Sequence, residues 1–271
     1  MRNETLQFGP WAVVTGANSG IGAAFAEQLA KQGYNLALVG RRADALKVVS
    51  DRLARSYSIK TRVVVVDLFD MDFLAQLTAQ TNDLDVGLLV SNAGDDAMGA
   101  LLRVELEQLT KMLRLNTEVH LQLVHYFGRR FEKRRGGGIL LVSSTAALQG
   151  TPFLANYAGA KAYLLNLGVA LNSEMRGTGV NVTVVLPGPT KTPGLLDKPA
   201  IPLSKLPAPA MTPAAVARIG LSALAKNKPY VIAGVMNRVM AGVGSLLGRV
   251  GARNMWGALM RGIVPAQLRV R

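Results

Sequence analysis

The chain has 271 residues, 49% hydrophobic and 18% charged, with two histidines and no cysteine. That suits one α/β domain with a large core; it excludes disulfides and thiolate metal sites, and leaves little for a histidine zinc site or a serine–histidine triad, so no metal is expected. The net charge of +14 is uneven, because 20 basic residues face 17 acidic ones up to Asp197, whereas the 11 basic residues beyond it meet no acid.

The N-terminal stretch "MRNETLQFGPWAVVTG" lacks a basic-then-apolar signal pattern, which predicts a cytoplasmic protein. "WAVVT" predicts the first strand and a helix follows from about 21 to 32. Between them lies "TGANSGIG". Gly16, Gly20 and Gly22 there supply a tight turn, close approach to a pyrophosphate and close helix–strand packing. The helix N-terminus faces the phosphates with free N–H groups, which adds Asn18, Ser19 and Ile21 to the candidate cofactor contacts.

"NLALV" predicts the second strand, with a helix from about 44 to 55. An acid at the end of this strand would favour a free ribose 2′-hydroxyl, and the sequence has "LVGRRAD" instead. Arg41 and Arg42 are placed to pair with a 2′-phosphate, pointing to NADP over NAD; the alternative is a solvated basic turn. "TRVVVVD" is the third strand, and its Asp67, with Leu68 beside it, either meets the adenine or caps the next short helix.

"VGLLV" precedes a long helix from about Glu105 to Phe131, and "GILLVS" leads into the helix carrying "YAGAK". Tyr157 and Lys161 are four apart and share one helix face. That pair is either a snorkelling lysine on an amphipathic helix or a working pair. "VNVTVVL" closes the strand series. The strands are continuous apolar runs, as in a parallel sheet covered on both faces, and the alternation predicts a doubly wound Rossmann fold. A proline-rich stretch at about 188–212 reads as a substrate lid, completing a domain over 1–228.

From "TGANSGIG" through "NAG" (Asn92, Ala93, Gly94) and "YAGAK" to "PGPTKT", the chain resembles the short-chain dehydrogenase/reductase family over nearly its whole length. The resemblance implies hydride transfer between a nicotinamide and a carbonyl or alcohol carbon. Tyr157 would then be the general acid/base, and Lys161 would hold the nicotinamide ribose and lower the tyrosine pKa. Ser144, 13 positions before Tyr157, would hydrogen-bond the substrate oxygen, with Ser143 its neighbour and rival. Asn116 would organise a proton-relay water, Asn92 would steady the sheet beside the cofactor, and Pro187, Gly188, Thr190 and Thr192 would meet the nicotinamide end. His120 and His125 are read as packed or surface residues without a catalytic role. A cofactor-binding regulator of the same fold is the alternative, and the complete catalytic set favours the enzyme.

Residues 229–271 are expected to form a basic amphipathic extension of the same domain, its apolar pattern running from Ile232 through Val235, Met236, Val239, Met240, Val243, Leu246, Leu247 and Val250. Glycines and charges interrupt it too often to span a membrane. It would cover the substrate cleft, meet a subunit or lie on a membrane surface, the first being favoured. The segment "LVGRRADALKVVSDRLARSYSIKTRVVVVDL" looks most like the branch of long-chain 3-oxoacyl and steroid reductases, which implies a lipophilic small-molecule substrate. The family's habit implies a homodimer or homotetramer. Without aromatics interleaved among the basic residues, specific nucleic-acid binding is not expected.

Overall fold

The computed structural model describes residues 7–196, 206, 208–265 and 268–269. The six expected strands form: β1 (Trp11–Thr15), β2 (Asn35–Gly40), β3 (Thr61–Val65), β4 (Val86–Ser91), β5 (Gly137–Val142) and β6 (Val180–Leu186). The series does not close there, because β7 (Tyr230–Ile232) pairs with β6 and extends the sheet. Only three residues long, β7 merges in sequence with the apolar tail behind it. The order is β3-β2-β1-β4-β5-β6-β7 and every neighbouring pair is parallel.

Alternation along each strand builds two cores. Ala12 and Val14 of β1, with Leu140 and Val142 of β5, face one layer, while Val13, Ile139 and Leu141 face the other. Both faces are covered, so the strands read as unbroken apolar runs. The first layer holds α1 (Gly20–Lys31), α2 (Ala43–Tyr57) and, after the short α7 (Pro193–Leu196), α8 (Pro213–Ala225). The second holds α3 (Phe73–Ala79), α4 (Leu106–Asn116), α5 (Glu118–Lys133) and α6 (Ala155–Glu174). Thr212 caps α8 by accepting from Ala215 N–H at 3.3 Å, with Pro213 in the first turn.

The long helix expected over 105–131 is two helices. Thr117 leaves the helical region at φ −131° and ψ −73°, and its hydroxyl donates back to Leu113 O at 2.7 Å. A β-branched hydroxyl bonded to the i−4 carbonyl bends a helix, and here the break falls just after Asn116. The tail is likewise two helices, α9 (Val235–Leu246) and α10 (Gly248–Ile263), separated where Gly248 takes φ +65°. Part of the expected lid, 197–205 and 207, lies outside the described residues.

From β3 at the edge the chain returns to place β4 beside β1, so the loops after β1 and β4 part and open a crevice at the strands' C-terminal ends. Phe127 of α5 is fully buried in the core that supports this point. Phe127→Ala is expected to cost about 3–5 kcal/mol in urea unfolding; a loss below about 1 kcal/mol would mean the second layer repacks freely.

Candidate active site

The crevice floor is pinned by Thr15, the last residue of β1. Its hydroxyl accepts from Asn92 N–H at 2.9 Å and Ala93 N–H at 3.0 Å, and its carbonyl accepts from the Asn92 side chain at 2.9 Å. Gly22 packs so tightly against Gly16 O that any Cβ there would overlap it, with the Asn92 amide 2.6 Å from the same point. The first turn of α1, whose N–H groups have no intrahelical partners, is thereby held beside the "NAG" turn.

Behind that turn lies His120, fully buried. Burial, and secondarily the Lys161 charge, push its pKa down to about 3. The ring is therefore neutral, and because Ala93 O can only accept, Nε2–H donates to it at 2.9 Å while Nδ1 accepts from Ser91 Oγ at 2.7 Å. Sequence reading gave His120 no role; only its contacts assign it to the loop. His125 is exposed.

Asn116 lies just behind the cleft wall, its side-chain amide donating to Asp95 O at 2.7 Å and Met112 O at 2.9 Å. Its Oδ1 is buried and accepts no hydrogen bond among the described residues. A Cβ on Gly94 would sit 2.7 Å from that oxygen and 3.1 Å from Lys161 Nζ, so glycine keeps the space between them open. Lys161 is buried, donates to Val142 O at 3.1 Å and lies 5.7 Å from the Tyr157 ring centroid. Burial lowers its pKa to about 8, with Asp96 opposing the shift.

Tyr157 is half-buried by exposed area, yet its phenol lies deep enough for desolvation to push the pKa up to about 12. A hydrogen bond with Ser144 works against the rise, and the charges of Asp96 and Asp95 reinforce it. The net shift runs opposite to the expected lowering, because desolvation by burial is its largest cause. The two serines separate cleanly. Ser143 spends its hydroxyl on Lys161 O at 2.7 Å, whereas Ser144 caps a 3₁₀ turn through Ala146 N–H and bonds Tyr157.

At the β2 end, Arg41 sits 3.8 Å from Asp67 and 5.5 Å from the Phe69 ring centroid. Asp67 also accepts from Phe69 N–H at 3.0 Å, closing a turn. Arg42 does not line the cleft; it is exposed and precedes α2 as its N-cap residue. At the far end Thr190 donates to Gly188 O at 2.9 Å, and Thr192 accepts from Leu195 N–H.

One cleft of about 570 Å³ joins these groups. Gly16, Asn18, Ser19, Gly20, Ile21, Arg41, Asp67, Leu68, Asn92, Ala93, Gly94, Ser144, Tyr157, Lys161, Pro187, Gly188, Thr190 and Thr192 all line it; Gly22, Asn116 and Arg42 do not. Sequence reading missed Asp95 and Asp96, and it named none of Met98, Leu154, Trp256, Met260 or Ile263 as part of the cleft wall. The glycine cradle, the helix N-terminus and the buried lysine fit a dinucleotide with a nicotinamide at the Tyr157 end. Residues 10–199 match the short chain dehydrogenase family profile.

The chain belongs to the short-chain dehydrogenase/reductase family. It is 34% identical to a 7β-hydroxysteroid dehydrogenase of Clostridium sardiniense, over 87% of this chain and 90% of that protein. A very-long-chain 3-oxoacyl-CoA reductase of Aspergillus terreus is 38% identical over 66% of this chain and 53% of that protein. A structure solved in work on 7β-hydroxysteroid dehydrogenase stereoselectivity superposes with a TM-score of 0.84 at 29% identity, covering 93% of this chain and 98% of that one. A Sphingobium yanoikuyae short-chain dehydrogenase in complex with NADPH gives 0.78 at 27% identity, covering 95% and 97%. This short-chain dehydrogenase is accordingly a nicotinamide-dependent oxidoreductase acting on CH–OH and C=O groups.

The Lys161 shift has a sign that stability can read. Its ordinary pKa is 10.5 and its folded one about 8, so between those values the unfolded chain holds a proton the folded chain has released. Its contribution to stability therefore rises with pH across that window. Urea midpoints from about pH 7 to about pH 10 should show that rise in the native protein and a flatter profile in Lys161→Met. Parallel profiles would place the proton elsewhere.

Proposed function

We propose that this enzyme reduces a lipophilic ketone with NADPH, or oxidises the matching secondary alcohol with NADP, through Tyr157, Ser144, Lys161 and Asn116. One observation carries the reading: the cleft that holds Tyr157 and Ser144 is also lined by Met98, Leu154, Trp256, Met260 and Ile263. The bound nicotinamide supplies or accepts the hydride. Tyr157 gives its proton to the carbonyl oxygen while Ser144 donates a hydrogen bond to it. Burial keeps the phenol protonated well beyond neutral pH, which is the form that reduction consumes. Lys161, mostly protonated at neutral pH, holds the nicotinamide ribose and favours the phenolate left behind. Asn116 Oδ1, without a donor among the described residues, offers the acceptor that a relay water needs.

Two relatives' activities, on a hydroxysteroid and on a 3-oxoacyl thioester, support a steroid-like or 3-oxoacyl substrate. Asp95 and Asp96 in the same cleft disfavour an anionic group close to the reacting carbon. NADP is favoured by Arg41, whose pairing with Asp67 is long and exposed and so weak enough to yield to a 2′-phosphate. The Sphingobium yanoikuyae relative was solved with NADPH. Exposed Leu113 and Leu121 on α4 and α5, with Tyr163 on α6, suit a homodimer or homotetramer.

Tyr157→Phe should abolish ketone-dependent oxidation of NADPH and leave NADPH binding by fluorescence nearly unchanged; turnover close to native would remove Tyr157 from the chemistry. Arg41→Ala should weaken NADPH binding by roughly 1.5–3 kcal/mol, about one to two decades, and NADH binding far less. Equal losses would make Arg41 part of a solvated turn.

A further inference from the structure

The apolar stripe of the tail does not cover the cleft. Val235, Val239, Val243 and Leu246 are 67%, 53%, 40% and 90% exposed, while Asn237 and Gly244 are the buried residues of α9. At about 100° per residue the stripe faces directly away from the body, with Met236 on one flank and Arg238 and Ser245 on the other. Leu247 and Val250, also exposed, carry it across the Gly248 turn. The cleft is walled instead by the inner side of α10, through Trp256, Met260 and Ile263.

What covers the stripe is decided by charge. Arg238, Arg249, Arg253 and Arg261 lie on α9 and α10 and are exposed, and none pairs with a carboxylate among the described residues. No acid follows Asp197 anywhere in the sequence. Two copies meeting stripe to stripe would bring these arginines together with nothing in either tail to neutralise them. An outward apolar stripe edged by arginines matches a surface that is oily below and anionic above. No helix among the described residues is long and apolar enough to cross a membrane.

We propose that α9 and the start of α10 dock the protein on an anionic bilayer, with Val235, Val239, Val243 and Leu246 at the acyl boundary and Arg238 and Arg249 on lipid phosphates. α9 is seated on the body where Asn237 packs against Gly188 of the cleft, and α10 continues into the cleft wall. Docking therefore brings the entrance for a membrane-dissolved substrate close to lipid. That last step rests on the lipophilic-substrate reading; the docking itself does not.

Co-sedimentation of the full chain with phosphatidylcholine vesicles, with and without phosphatidylglycerol, tests it. Native protein should bind the anionic vesicles and release from them as salt rises. Val239→Glu with Leu246→Glu should lower that partition at least about tenfold, with NADPH affinity and size by light scattering unchanged. Arg238→Gln with Arg249→Gln should flatten the salt dependence. Native protein that stays in solution with both vesicle types would overturn the proposal. So would a glutamate variant that binds vesicles normally but dissociates into smaller species, which would make the stripe a subunit contact. Failure of the reductase reading would appear in ketone kinetics and leave the partition unmoved.

Discussion

A lysine ammonium buried at the C-terminal edge of a parallel sheet is the constraint on which this structure turns. Lys161 donates to Val142 O and lies near Gly94 and the Tyr157 ring, with burial bringing its pKa down to about 8 against the opposing charge of Asp96. An ion held there is expensive, and the surrounding geometry is shaped by keeping it there. Gly94 has no side chain because there is no room for one, and Ser143, just after β5, donates its hydroxyl to the lysine's own carbonyl on α6.

The loop opposite the lysine is over-determined. Thr15 holds two of its N–H groups from the front, and His120 holds the Ala93 carbonyl from behind, itself kept neutral by burial. A neutral ring with one donor and one acceptor satisfies Ala93 and Ser91 together; an imidazolium would offer a second donor beside a buried cation. The same low-dielectric setting raises Tyr157, so the pair combines an acid that keeps its proton with a base that sheds it more easily than usual. Pairs of groups pushed apart by environment are how one site runs proton transfer near neutrality.

The tail divides its work between two helices because Gly248 turns the chain. One continuous helix would have to choose between facing the cleft and facing outward. With the turn, α10 supplies Trp256, Met260 and Ile263 to the wall while α9 presents its apolar residues away from the body. Trp256, which lines the cleft, has its Nε1 buried without an acceptor among the described residues.

Local rules made much of this legible in the linear chain. Apolar runs alternating with helical periods specify a doubly wound sheet, a glycine turn between strand and helix specifies a phosphate cradle, and residues four apart on a helix must share a face; these depend on neighbours in sequence, so Gly16, Gly20, Tyr157 and Lys161 could be named from it. Other features depend on atoms brought together from distant segments. Thr15 reads as an ordinary strand end until Asn92 folds onto it, His120 as core until Ala93 lies above it, and β7 as tail until β6 offers a partner. The net direction of the Tyr157 shift depends on tertiary structure for the same reason: spacing reveals a nearby cation, but desolvation is set by everything packed around the phenol. Which way the tail's apolar stripe points was likewise left to tertiary structure, because periodicity defines a face and only packing decides what it meets.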